Sequence, residues 1–504
     1  MIRSFFPFKR PVALVLVGAT LMLGCTRQPS REEQSALKVQ LSTEPVSLDP
    51  ALAEDGVSLR ILANTMEGLV GYDSAGQLRL RLAESHRVSN DRKRHEFKLQ
   101  RNACWSDGIQ VTAAQFVRGF QRSLGPDSKS KLAPLLSGLR VHENDGILVI
   151  ELEKPAPHLL HALTLPVAFP IRDDILSANG GKWPLTAPGT GPYAIRNHLP
   201  DRKIQLERNP HYYLDASGPA QVDLVIVGDE TTAANLFDQG KLDILTKLPP
   251  ADFARLKKSG RVRTDPFFAT YFLSFNTRQA PFNDPALRRA VSGAINREEV
   301  VAILDSGELP ASGWLPPGIE GATPYRRDRL GQGLFRKYAG KSVIAGFDGN
   351  TRNFLIMQKV QQDVQQKLGL RVQLRNTDWK SHIQSLQTDT PAIYRFGWQA
   401  PFNDPISHLR AFTSRDPNNY SGWKNAKYDR LISEIETMES GPDRVAKIAR
   451  AEELLVKTEA AAVPLYHYVQ NHGVSKRVSG FRANPFGMIF FRELQLDRGP
   501  KSKK

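Results

Sequence analysis

The stretch Asn353–Leu374, "NFLIMQKVQQDVQQKLGLRVQL", decides the fold class. Met357, Val360, Val364 and Leu368 recur at intervals of three and four residues, which lines them up on one face of a helix. Gly369 is the residue type that closes a helix in a left-handed conformation, and "LRVQL" follows it at once as a strand. Helix and strand joined this tightly form the repeating unit of an α/β protein.

The same alternation extends outward from that stretch. "DPALRRAVSGAINREEVVAIL", from Asp284 to Leu304, predicts a helix with Asp284 as N-cap and Pro285 in the first turn. "ALKVQLST", "RHEFKLQ" and "DGILVIELE" read as strands, and the continuous apolar run of "QVDLVIV" suits a strand covered on both faces. "AKYDRLISEIETM" and "DRVAKIARAEELLVKTEA" are amphipathic helices near the C-terminus. There is no internal repeat, and 504 residues exceed what one hydrophobic core supports, so two or three domains are expected.

Residues 1–24 read as an export signal: Arg3, Lys9 and Arg10 precede the apolar "PVALVLVGATLML", which is short for a bilayer span. "LMLGC" is similar to the cleavage site of a bacterial lipoprotein, whose cysteine, here Cys25, is acylated; ordinary secretion with Cys25 removed or free is the alternative. Acyl chains hold a protein at a membrane surface without spanning it. Residues 25–35 are polar and aperiodic, as a tether is. Cys104 is the other cysteine, so a lipidated Cys25 leaves it without a disulfide partner.

The formal charge is +16; the leader holds three of the excess cations and no acid, leaving +13. Those charges are dispersed, and no zinc-finger, helix-turn-helix or RNA-binding signature accompanies them, which argues against nucleic acid. Enzyme signatures are missing too: no HExxH, GxSxG, P-loop or paired-cysteine metal motif occurs. His158 and His161 in "PHLLH" form a sparse pair better read as satisfied structural side chains than as metal ligands, and His467 in "LYHYV" lacks an acidic partner in the sequence. No cofactor, metal or catalytic role is expected.

Several stretches, in order and spacing, carry a family resemblance: "SLDPALAEDG", "EGLVGYDSAGQLRLRLAESHRVSNDRKRHEFKLQRNACWSDGIQVTAAQFV", "GTGPYAIRNHLPDRKIQLERNPHYY", "LSFNTRQAPFNDPALRRAVSGAINREEVV" and "AAVPLYHYV". Together they resemble family 5 of the extracytoplasmic solute-binding proteins, the receptors of peptide-class ABC importers. The likeness runs from about Leu37 to about Leu496. It implies a two-lobed periplasmic-binding-protein fold of class II with an additional α/β domain. Lobe I would comprise 36–65, 188–268 and 482–504, the extra domain 66–187, and lobe II 269–481. The implied partners are a peptide or peptide-like ligand, an ABC permease and ATPase complex, and a membrane reached through the N-terminal lipid; a periplasmic monomer is expected. Within the family motifs, Gly189 and Gly191 of "GTGPY" are read as supplying backbone freedom.

The resemblance also implies site residues. Trp379 and Trp398 stand nineteen residues apart, as do the two pocket tryptophans of oligopeptide-binding members. Arg395 matches an arginine that pairs with a ligand carboxylate, a task its planar fork suits. Asn353 replaces a histidine that meets a longer ligand's C-terminus. The backbone of Glu54–Ser58, including Gly56 and Val57, matches the segment that pairs with the ligand main chain, as Gln399 and Ala400 do from lobe II. Tyr271, with Phe267, Phe268 and Phe272, replaces an aromatic strand lining the cleft.

The departures are sharper. Pro401 stands where relatives place the aspartate that pairs with the ligand's α-ammonium, and Asp404 is the nearest substitute. Ala269 and Gln399 replace a disulfide, and Arg118 replaces an aromatic. A cleft that loses an acid and gains a cation suits a peptide with a blocked or absent α-amine, or an anionic peptide-like solute.

Overall fold

The computed structural model describes residues 36–215, 217–326 and 338–497. The signal, the tether and Cys25 lie outside the described residues. One eleven-stranded sheet runs through the chain. Two long antiparallel strands, Val262–Phe275 and Ala462–Val474, lie side by side in its middle. On one flank, Leu37–Leu41 lies parallel to Gln221–Ile226 and to Ile244–Leu245, and the last of these pairs with Val474 and Gly473. On the other flank, Ser342–Asp348 lies parallel to Arg371–Thr377 and to Ile393–Gln399. Each flank is an α/β unit, and the two long strands join them into the two-lobed fold.

The ladder between those strands breaks where it passes from flank to flank. Pro266 opposes Val469 and Thr270 opposes His467, so three residues on one strand face Tyr468 alone on the other. Pro266 has no N–H to give, and such a bulge bends the strand that carries it.

Local chemistry explains the elements. Asn350 caps helix Thr351–Leu368 by accepting from the Asn353 N–H at 2.8 Å, and Gly369 closes it at φ +68°. Met357, Val360, Val364 and Leu368 are buried under it, in a core with Phe275, Phe347 and Val372. The 284–304 stretch is broken in two, as Pro285–Ala294 and Arg297–Leu304. Asn296 leaves helical geometry between them, accepting from the Glu299 N–H, while buried Arg297 donates to Ser292 and Pro464 carbonyls. A cap inside an apolar pattern outweighed the pattern.

A separate four-stranded antiparallel sheet, from Ala83–Val88, Arg94–Leu99, Leu139–Asn144 and Ile147–Leu152, carries helix Ala113–Leu124. Trp105 is buried beneath the "WSDG" turn, its indole N–H donating to Gln115 at 3.0 Å. No described helix is long and apolar enough to cross a membrane.

Gly189 and Gly191 have a different reason from the backbone freedom expected. Neither has a positive φ. A Cβ at Gly189 would lie 1.9 Å from the Thr65 carbonyl oxygen, and one at Gly191 would lie 2.6 Å from the Thr65 carbonyl carbon. These glycines let the chain lie against the C-terminus of helix Gly56–Thr65. Gly189→Ala is expected to lower stability by about 1–3 kcal/mol. Urea unfolding would show it as an earlier midpoint with an unchanged m-value.

Candidate ligand-binding cleft

A cavity of about 570 Å³ opens where the long strands bend, within the range of small-ligand sites. One wall is helix Gly56–Thr65 with the chain that follows it to Tyr72, and a second is the turn around Asn484–Met488. Gln399, Ala400 and Pro401 come from the opposite flank, and Tyr468–His472 form the back. Tyr72 and Pro401 thus face one space from distant parts of the chain, and the Asn403 N–H donates to the Tyr72 hydroxyl at 2.9 Å. His158 stacks on Phe402 nearby, ring centres 5.9 Å apart.

Of the residues expected from sequence, Glu54, Gly56, Gln399 and Ala400 line the cavity. Val57 does not: it is buried, and its N–H bonds to Asp55, the N-cap of a helix. The 54–58 segment, expected to pair with the ligand main chain, is therefore a helix start. Arg395, Trp398, Trp379, Asn353 and Tyr271 also lie outside the lining, each for a readable reason. Arg395 makes a buried ion pair with Asp348, and its guanidinium carbon lies 4.8 Å from the Tyr271 ring centre. Burial alone would lower its pKa; the Tyr468 and Tyr271 hydroxyls and the Asp348 carboxylate outweigh that and raise it. Trp398 is on the opposite face of the same strand, donating to the Ser407 carbonyl at 2.9 Å. Trp379 is 53% exposed and stacks on Phe396. The Asn353 amide donates to the Asp348 carbonyl at 3.0 Å, inside a strand-to-helix turn. Tyr271 is fully buried against Tyr466.

The charges sort as clearly. Asp404 is buried and takes both oxygens to Arg444, at 2.9 and 2.8 Å, so it is no substitute for the acid lost at Pro401. Arg118 pairs with Asp173 on the surface and is not the cleft's extra cation. Two acids line the cavity. Glu67 accepts from Arg492 at 2.6 Å, Tyr212 at 2.9 Å and Tyr213 at 2.7 Å, while Glu54 pairs with exposed Lys131. Arg60 lines the cavity as well and makes no ion pair among the described residues; its Nε donates to the Gly487 carbonyl at 3.4 Å. The sequence signal for Arg60 was present: Gly56, Arg60 and Ala63 share one face of a helix whose N-cap is Asp55. Ala269 and Gln399 are cross-strand neighbours. His161 meets Tyr72, His467 meets Thr270, and no described cluster of three or more His, Cys, Asp or Glu side chains suits a metal.

Two lobes that share one sheet and enclose a cavity at the bend define a ligand-binding protein. The chain belongs to the bacterial extracellular solute-binding proteins of family 5, whose model matches residues 77–420. It is 29% identical to the periplasmic oligopeptide-binding protein OppA of Salmonella typhimurium, over 90% of this chain and 91% of that one. It is 26% identical to the probable deoxycholate-binding periplasmic protein YgiS of Escherichia coli, over 92% of this chain and 92% of that one. The structure superposes on the murein tripeptide-binding protein MppA of Escherichia coli with a TM-score of 0.76 at 26% identity, covering 92% of this chain and 98% of that one. Haemophilus influenzae OppA in complex with RPPGFSPFR gives 0.76 at 25% identity, covering 92% and 99%.

The Arg395–Asp348 pair makes a structural role testable. Arg395→Met leaves a buried carboxylate without its counter-ion and is expected to remove about 3 kcal/mol of stability. Adding Asp348→Asn is expected to restore most of it in chemical denaturation. A single variant of undiminished stability that only loses ligand affinity would speak for a ligand anchor instead.

Proposed function

We propose that this protein is a periplasmic receptor of an ABC importer, held at a membrane by lipid on Cys25, that captures peptides or peptide-like solutes and delivers them to a permease. The observation that carries this reading is the cavity at the bend of the two shared strands, with walls from both lobes. The sheet pairing supports a division into lobe I, an extra domain of 66–187 and lobe II. The break in the ladder at Phe267–Ala269 supports an outgoing crossing near 268, and the pairing of Val469–Val474 with Val262–Pro266 and Ile244–Leu245 favours a return crossing near Tyr468 over one near 481. Cargo enclosed by lobe closure would present one shape to the permease.

The preferred cargo has a blocked or absent α-amine. Pro401 offers no charge, Asp404 is committed to Arg444, Glu67 holds Arg492 and two tyrosines, and Glu54 is paired with Lys131. Burying an ammonium without a free carboxylate is unfavourable by several kcal/mol. Titration calorimetry with paired free and N-acetylated peptides is expected to show the acetylated form binding at least as tightly. A strong preference for the free amine would reject this. The similarity to YgiS favours a second reading, a non-peptide cargo on the same scaffold. Native mass spectrometry of protein purified from its own host separates the two by the mass of the co-purified ligand.

A further inference from the structure

At one end of the cavity, buried polar side-chain atoms lack partners. Asn484, 1% exposed, accepts on its Oδ1 from the Phe486 N–H at 3.1 Å and the Met488 N–H at 2.9 Å. That assignment turns its Nδ2 away from the backbone, and Nδ2 has no partner. His472, 2% exposed, leaves Nδ1 without a partner. Both residues line the cavity with Arg60, whose Nε reaches the carbonyl of Gly487 in the same turn as Asn484. Buried polar atoms of this kind are costly unless bonded, and a guanidinium without an anion more so. Arg60 is held down to about 10 by burial, and His472 falls to about 3 through burial and then the Arg60 charge, so the imidazole is neutral at pH 7. Of these three side chains only Arg60 carries charge.

We infer that Arg60, with Asn484 and His472 beside it, is the anchor for a carboxylate of the captured ligand. The guanidinium offers the two parallel N–H groups that a carboxylate accepts. This places the anion contact on lobe I, at the turn 484–488, and not at Arg395, whose guanidinium is already matched by Asp348. Neighbouring Glu67 does not compete, since Arg492 and two tyrosines hold its oxygens. The inference rests on the receptor reading for the ligand's identity, but the carboxylate contact stands on the cavity's own chemistry.

The test uses the mature protein, wild type and Arg60→Gln, with Arg60→Lys to retain the charge. Native mass spectrometry would compare N-acetylated peptide pools of two to six residues, with a free C-terminal carboxylate or a C-terminal amide. A third pool, amidated and with one internal Glu in place of Gln, distinguishes a side-chain carboxylate from the terminal one. Thermal shift with 3-phenylpropionate and its amide runs alongside as a probe independent of peptides. Wild type is expected to prefer a carboxylate pool by about tenfold over the uncharged one. Arg60→Gln should reduce that ratio below about twofold, with Arg60→Lys between. Equal occupancy by acid and amide pools in wild type, or a ratio unchanged in Arg60→Gln, overturns the anchor while leaving a peptide receptor standing. No peptide binding, but a shift with 3-phenylpropionate that Arg60→Gln abolishes, upholds the anchor and removes the peptide reading. No response to either probe overturns both.

Discussion

The passage of two adjacent strands between the lobes is the constraint on which the rest of this structure depends. Val262–Phe275 and Ala462–Val474 pair at both ends but lose register around Phe267–Ala269, where Tyr468 alone stands opposite. A continuous ladder would tie the flanks into one rigid slab. The bulge bends the sheet and leaves space at the bend, and Phe267 and Tyr468 at that point line the cavity. The floor of the cavity and the break in the ladder are thus the same few residues.

Electrostatic commitment decides which side chains are left for a ligand. Asp348, Asp404 and Glu67 would each be a plausible acid by sequence position, and each is already matched to a buried arginine. Buried pairs of this sort contribute little net stability, yet breaking one is expensive because the remaining charge has no solvent. They behave as fixed parts of the walls. Arg60 is the exception, a cation with one long bond to a backbone carbonyl and no carboxylate among the described residues.

The fold was legible because it rests on local signals. The 353–374 stretch carries its period, its Gly369 terminator and its strand in sequence, and the structure reproduces all three. The 284–304 stretch shows where such reading fails, since its apolar spacing continues across Asn296 although the helix does not. The cleft was legible only in part. Glu54, Gly56, Gln399 and Ala400, expected from family position, line the cavity, whereas Arg395 and Trp398 are grouped in the sequence although an odd separation along a strand sends them to opposite faces. Asn353 and Val57 were misplaced because their polar groups serve a turn and a cap, a commitment that depends on backbone geometry. The GTGPY glycines were rightly read as structural, but their cause, the approach of Thr65 from far away in sequence, is a tertiary fact.

The saturation of Glu67 also governs how the cavity is hydrated. With its carboxylate oxygens bonded to Arg492, Tyr212 and Tyr213, that acid gives water little to hold, and Leu165, Phe169 and Val70 give less. Arg60 lines the same space with no carboxylate of its own among the described residues, so its guanidinium is the stronger partner for water there. One end of the space is easily dried and the other is not. The apolar lining at Leu165, Phe169 and Val70 and the cation at Arg60 thereby give the space unequal wetting before anything enters it.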